Sequence, residues 1–375
     1  MILYICVAMV SIILAYECGK VGRYAGSNRA RMYQGACLVA IFVLLFAISA
    51  MRQNVGNDYA KYVEFMHRLY TDKYIEDAGV PTEWGFNLLA RVIYALSGYE
   101  NFLLVFAIYS FATVGIFLWA MWKQSEDFAL TFAMFMTLGY YFQSFSTVRY
   151  YLALAIALYC MKLVVDRQWV SFVILVLLGT GFHKSILVIL PLYFLASLAW
   201  KKWEIAVGLV VCGSCLFLSD IYLKVLIKLY PSYEDTEYLA GSGISVINIG
   251  RCLAVLVLAF ICLRDEIKQD RKMRFFFQLN LGALALYMLC FKLPLVSRIG
   301  YYLTVSHILF VPAILARTPD EKRKRVFKIL LIIGCILYFV MYLNKAYDDG
   351  VLVLPYKTFF FNDMVNILSD VESWT

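Results

Sequence analysis

Residues 34–62 read QGACLVAIFVLLFAISAMRQNVGNDYAKY. Positions 34–50 carry no charged side chain, and a run of that length reaches most of the way across roughly 30 Å of hydrocarbon. Lipid supplies no hydrogen-bond partners, so each backbone N–H and C=O in such a run must be bonded within the segment, which dictates a helix. At Arg52 the pattern changes to polar and turn-forming residues. The stretch therefore reads as a membrane helix ending at an interface.

The same pattern recurs near 2–17, 101–121, 127–145, 148–165, 169–182, 185–199, 204–219, 245–263, 275–291, 299–316 and 326–343. Across all 375 residues 63% are apolar and 16% charged, where a soluble domain has about 45–50% and about 25%. Such an excess excludes a soluble enzyme, a disordered chain and a secreted disulfide scaffold. The expectation is an all-α polytopic transmembrane bundle of about twelve spans, forming one integral membrane domain over 1–375. The runs at 169–182 and 185–199 read either as two spans or as a re-entrant pair around Phe182-His183-Lys184. The apolar N-terminus lacks a basic leader and a small-residue cleavage signal, so it reads as an uncleaved first span.

Orientation follows from where the cations fall. Lys20, Arg23, Arg29 and Arg31, then Lys123, Lys162 with Arg167, and Lys201 with Lys202 occupy alternate short connections. The clusters at 264–274 and 317–328 complete that side, which is the cytoplasmic one. Both termini are then outside. The two clusters read as anchors near anionic lipid rather than as a nucleic-acid site, despite a net charge of +8. The outer segments are 52–100, 220–244 and the tail 344–375. Within the first, 87–97 (NLLARVIYALS) places apolar residues at helical spacing, as in a short amphipathic helix lying at the membrane surface.

Ionisable groups in or beside spans cost about 2.5–3.5 kcal/mol each and are functional candidates by default. Arg52, Asp58, Glu83, Arg149, His183 and Arg298 all fall on the outer side of this arrangement. Arg149 and Arg298 open helices there, against the positive-inside rule. They read as anion binders, with snorkelling anchors as the plain alternative. His183 lies between Gly181 and Ser185 and reads as a backbone break lining a cavity, or else as a structural histidine. Asp58 and Glu83 sit where helix N-caps are expected, a purely structural role.

The ten cysteines lie mostly in apolar runs and read as packing; Cys212 and Cys215 form a C-x-x-C without a second pair. No nucleotide-binding glycine motif occurs, and no two of His67, His183 and His307 stand at metal-ligand spacing. No metal and no cofactor is expected.

Arg52-Gln53-Asn54-Val55-Gly56-Asn57-Asp58-Tyr59, with Tyr62 following, resembles the R-x-x-x-G-x-D-x-x-x-Y element of the EpsG family of Wzy-like membrane proteins, which act in exopolysaccharide and O-antigen assembly. Pro81-Thr82-Glu83-Trp84-Gly85-Phe86, Arg149-Tyr150-Tyr151, Gly181-Phe182-His183-Lys184-Ser185 and Arg298-Ile299-Gly300-Tyr301-Tyr302 resemble further elements, in order. The resemblance implies a GT-C-like fold and a bacterial cytoplasmic-membrane polymerase. Its substrate is an undecaprenyl-pyrophosphate-linked oligosaccharide on the outer face, and a chain-length regulator is an implied partner.

Joining such units needs cations on the departing pyrophosphate and a base for the attacking hydroxyl. Arg149 and Arg298, supported by Arg52, are the expected pyrophosphate ligands. His183 is the expected base, with Asp58 and Glu83 as alternatives or as acceptor-positioning groups. Tyr59, Tyr62, Tyr150 and Tyr301 are expected to offer rings to the sugars. A ligase-type glycan transferase, a membrane O-acyltransferase and a lipid-linked glycan flippase are the alternatives.

Overall fold

A computed structural model describes residues 1–20, 27–229, 245–263, 266–291 and 296–362. Arg23, Arg264, the part of the 220–244 loop from Tyr230 onward and the tail beyond Asn362 lie outside the described residues.

The described chain is all-helical, as expected. The helices are α1 (Ile2–Lys20), α2 (Asn28–Ala50), α3 (Tyr59–Thr71), α4 (Trp84–Ser97), α5 (Phe102–Gln124), α6 (Phe128–Thr137), α7 (Tyr140–Gln143), α8 (Val148–Val165) and α9 (Trp169–Thr180). After a 3-10 turn at Lys184–Val188 come α10 (Ile189–Ser197), α11 (Lys202–Phe217), α12 (Ser219–Leu229), α13 (Val246–Leu263), α14 (Glu266–Gln269), α15 (Arg271–Leu289), α16 (Val296–Thr304), α17 (His307–Arg317) and α18 (Glu321–Lys345). Ends are fixed locally: Ser27, Asn101 and Asp127 accept from the amides of Ala30, Leu104 and Leu130, and Gly98 closes α4 in the left-handed conformation.

The expected count of about twelve spans is not confirmed among the described residues. Among the described residues seven helical stretches are long and apolar enough to cross a membrane: α1, α2, α5, α8, α13, the α16–α17 stretch and α18. The apolar run at 127–145 is broken at Gly139, whose φ of 79° ends α6, leaving a helix of 10 residues. The run at 169–182 yields only the 12 residues of α9. The run at 275–291 becomes α15, which starts among Arg271, Lys272 and Arg274.

The chain divides into two compact units. The first comprises residues 1–159, 177–184 and 322–375, and the second 160–176 and 185–321. In the first, α1 packs on α2 and α6, and α2 on α5. The Tyr141 hydroxyl donates to the Leu45 carbonyl at 2.6 Å, and the ring of Tyr342 lies over Gly139 where a Cβ would stand.

Residues 346–358, after α18, pack back onto the rest of the first unit. They strap down the loop 52–58: the amides of Gln53 and Gly56 donate to the carbonyls of Lys357 (2.9 Å) and Leu352 (2.7 Å). Arg52 and Thr358 form an isolated antiparallel bridge. The hydroxyls of Tyr4 and Ser146 donate to the carbonyls of Val353 (2.6 Å) and Val351 (2.7 Å). Gly56 adopts φ 104°, and a Cβ there would lie 2.3 Å from the Phe145 carbonyl oxygen, so the loop passes where only glycine fits.

In the second unit α15 is the central element, touching α10, α11, α13, α16 and α17. The side-chain oxygen of its buried Asn280 accepts from His307 Nε2 at 2.8 Å, while the amide nitrogen of Asn280 donates to the Cys252 carbonyl at 3.1 Å. With the Asn280 nitrogen so committed, its oxygen faces His307, which makes Nε2 the donor. At the opposite end of α15, Asp270 caps the helix and pairs with Arg317.

Candidate functional site

The site in the first unit is built where three sequence elements meet. Glu83 precedes α4, Arg149 lies in the first turn of α8, and residues 181–184 follow α9. One oxygen of the Glu83 carboxylate pairs with Arg149 Nη1. The other accepts the backbone N–H of Lys184 at 3.1 Å. The ion pair is largely shielded, with side-chain exposures of 13% for Arg149 and 10% for Glu83. An ion pair so placed requires further hydrogen bonds to offset its desolvation, and the Lys184 amide is one of them.

Backbone contact fixes the same junction. The Gly85 amide donates to the Gly181 carbonyl at 2.7 Å. A Cβ on Gly85 would lie 2.5 Å from that oxygen, and one on Gly181 would meet the Trp84 indole at 2.7 Å. Glycine at both positions is what lets the start of α4 touch the turn that carries His183. These glycines and Trp84 carry no charge, and their only signal in the sequence is the Trp-Gly-Phe and Gly-Phe-His steps themselves.

Aromatic rings line the guanidinium. The Arg149 carbon lies 5.4 Å from the Tyr62 ring centre and 5.6 Å from that of Phe86. Burial pushes the Tyr62 phenol up and the Arg149 charge pulls it down, while Asp58 and Glu83 push it up again. Tyr62 thus registers all three charged groups at once. Arg149 Nε is buried without a hydrogen-bond partner, an unfilled donor at the centre of the cluster. The His183 ring stands edge-on to Tyr150, with centroids 5.4 Å apart.

Asp58 occupies the residue before α3, but its side chain makes no cap hydrogen bond, and Lys61 Nζ lies 4.0 Å away. The capping role expected for it is therefore not the one it plays. Glu83 likewise precedes α4 without capping it, because both its oxygens are turned to Arg149 and Lys184.

Arg52 stands apart from this cluster in kind. It is 1% exposed and bonds the Ser49 carbonyl, with the hydroxyls of Ser49 and Ser110 each at 3.1 Å from Nη1. Phe106 and Phe145 lie 5.4 and 5.1 Å from its guanidinium carbon. Burial lowers its pKa, partly offset by the surrounding tyrosines. Tyr59 is fully buried with its ring stacked on Phe106 at 4.5 Å, leaving no face for a sugar. Arg298 and Tyr301 lie on α16 of the second unit, both partly exposed. Gly300 between them is pressed against Tyr287, whose hydroxyl a Cβ would meet at 2.4 Å.

The sequence signature of the EpsG family matches residues 35–358, a span that holds every residue of this cluster. The chain belongs to the EpsG family. No curated protein and no solved structure matches it. Membership and the seven apolar helices are consistent with a multi-pass membrane protein of the polysaccharide-polymerase kind.

Proposed function

We propose that this EpsG-family chain joins polyprenyl-pyrophosphate-linked oligosaccharide repeat units at the outer face of the bacterial cytoplasmic membrane. The observation that carries the reading is the Glu83–Arg149 pair: a shielded, oriented guanidinium with a free donor, set beside His183 and ringed by Tyr62 and Phe86.

The chemistry follows from what these groups can do. The acceptor hydroxyl attacks the anomeric carbon of the donor sugar, and the bond from that carbon to the pyrophosphate oxygen breaks. The electron pair leaves on the pyrophosphate, so negative charge grows where a fixed cation is most useful. Arg149 suits that position because its planar fork holds two oxygens and stays charged. Glu83 is a positioning residue: with both oxygens engaged it aims Arg149 and fixes the turn at Lys184. That leaves His183 as the group to take the hydroxyl proton. Asp58, four residues before Tyr62 and flanking the start of α3, is assigned to the acceptor. Arg298 is assigned to the pyrophosphate on its sequence context alone. Arg52 holds the loop 52–58 in shape and does not touch substrate.

The test is made in cells. Strains carrying Arg149→Ala or His183→Ala, with the protein at normal level in the membrane, are expected to lose long polymer and accumulate single lipid-linked units on the outer leaflet. Full-length polymer from both would overturn the assignment, and accumulation on the inner leaflet would mean a flippase.

A further inference from the structure

Next to the Glu83–Arg149 pair the first unit carries a groove of about 340 Å³, lined by Trp84, Gly85, Leu88, Val92, Ala112, Leu152 and their neighbours. Its volume is in the range of small-ligand sites, yet its lining side chains are apolar apart from the Tyr109 hydroxyl. One wall is α4. This helix buries Phe86, Ala90 and Ile93 but leaves Trp84, Leu88, Val92 and Leu96 exposed by 61%, 49%, 46% and 84%. Every fourth residue of its outer side is thus apolar, the pattern of a helix that faces lipid and not water. The opposite wall is α5 with Ile108 and Ala112, and α8 closes the groove with Leu152.

The polar cluster adjoins this groove. Leu152 is three residues after Arg149 on α8, so both project on one side of that helix. Phe86, under the guanidinium, packs on Tyr109 at 5.7 Å, and Tyr109 packs edge-on to Phe182 at 6.0 Å. Tyr109 and Phe182 both line the groove. The apolar slot therefore lies one layer of aromatic side chains away from a cation that has an unfilled donor.

We infer that this groove holds the first isoprene units of the polyprenyl chain, setting its pyrophosphate against Arg149. The inference rests on the proposed function and adds to it the place where the lipid part of the substrate is read. Lipid tails are as apolar as the groove, so the groove adds no hydrophobic driving force. Its contribution is position: a chain lodged in it delivers the headgroup in one orientation. A diphosphate ester fits Arg149 better than the phosphodiester of an ordinary phospholipid, because it brings two adjacent charged phosphoryl groups where the phospholipid brings one.

The experiment uses purified protein in nanodiscs and measures binding of undecaprenyl pyrophosphate to the wild type, Arg149→Ala, and two groove-filling variants, Ala112→Trp and Val92→Trp. Variants that retain the wild-type melting profile are compared. Each filling variant is expected to bind about tenfold or more weakly, the scale of misfit in a shaped apolar pocket. Excess phosphatidylglycerol is expected not to compete. Wild-type affinity in both filling variants, with binding lost in Arg149→Ala, would overturn the groove and leave the proposed function standing. Displacement by phosphatidylglycerol at equal concentration would show a general lipid slot and also overturn it. If the wild type fails to bind undecaprenyl pyrophosphate, the groove and the proposed function fall together.

Discussion

Glu83 holds Arg149 with one carboxylate oxygen and the Lys184 amide, at 3.1 Å, with the other. A single side chain thereby joins the start of α4, the first turn of α8 and the turn bearing His183. Removing it should act on both sides of the site. Glu83→Gln keeps the shape and the hydrogen bond to Lys184 but frees the guanidinium. It is expected to lower turnover by roughly 10²–10³, the cost of losing one oriented charge-stabilising donor. Because Glu83 works through Arg149, the double variant with Arg149→Ala should be no slower than Arg149→Ala alone. Release of undecaprenyl pyrophosphate from lipid-linked repeat units is the readout.

Gly85 and Gly181 make a sharper geometric test. Gly85→Ala puts a methyl 2.5 Å from the Gly181 carbonyl oxygen and must part the two segments. Loss of polymer with the protein still in the membrane is the expected outcome, scored on gels of extracted polysaccharide and by immunoblot. Gly35 in α2 has open space at the Cβ position, and Gly35→Ala should leave polymer unchanged while favouring the helix by up to about 1 kcal/mol.

Arg52 separates stability from chemistry. Its bonds to Ser49 and Ser110 are buried, so Arg52→Ala leaves a cavity and unfilled polar partners. A loss of about 2–3 kcal/mol is expected, seen as a lower melting temperature in detergent, with the surviving folded protein still active. A normal melting temperature with no activity would return Arg52 to the substrate site.

These results also show what the sequence could and could not yield. The order of elements at 52–62, 81–86, 149–151 and 181–185 was legible, and so was the helical class, because both follow from local pattern. The pairing of Glu83 with Arg149 was not, since 66 positions separate them and each reads locally as a cap or an anchor. The surroundings of Arg52 were not legible either: nothing local reveals that Ser110, on a different helix, and residue 358, in the strap, close over it. The strap itself read as an outer tail, its backbone hydrogen bonds to residues 53 and 56 being invisible to composition. The broken run at Gly139 was readable in principle, as glycine within an apolar stretch marks a possible break.

The strap leads to its own expectation. Replacing residues 346–358 with a Gly/Ser linker removes the acceptors for Gln53 and Gly56 and the partners of Tyr4 and Ser146. Amides 52–58 should then exchange hydrogen much faster than in the wild type, as measured by mass spectrometry. Unchanged protection would mean the loop holds its shape alone.

In the second unit, burial pushes the Asp270 carboxyl up. The hydrogen bond and charge of Arg317 and the amides of Met273 and Lys272 outweigh it, and hold it below the usual carboxylate range. Its folded-state pKa is depressed, so its stabilisation is present above the unfolded value near 3.9 and fades as pH falls through the folded one. The pair is partly exposed, which limits its worth to about 1 kcal/mol or less. Asp270→Asn should therefore melt slightly lower than the wild type at pH 7, with the difference closing below about pH 4 in a thermal series.

The central role in the proposed reaction falls to Arg149, which stabilises the departing pyrophosphate. Purified protein in nanodiscs, supplied with undecaprenyl-pyrophosphate-linked repeat units, allows the initial rate of undecaprenyl pyrophosphate release to be compared between the wild type, Arg149→Lys and Arg149→Ala. The expected order is wild type well above Arg149→Lys, which keeps the charge but not the fork, with Arg149→Ala lowest; equal rates for all three correctly folded proteins would contradict it.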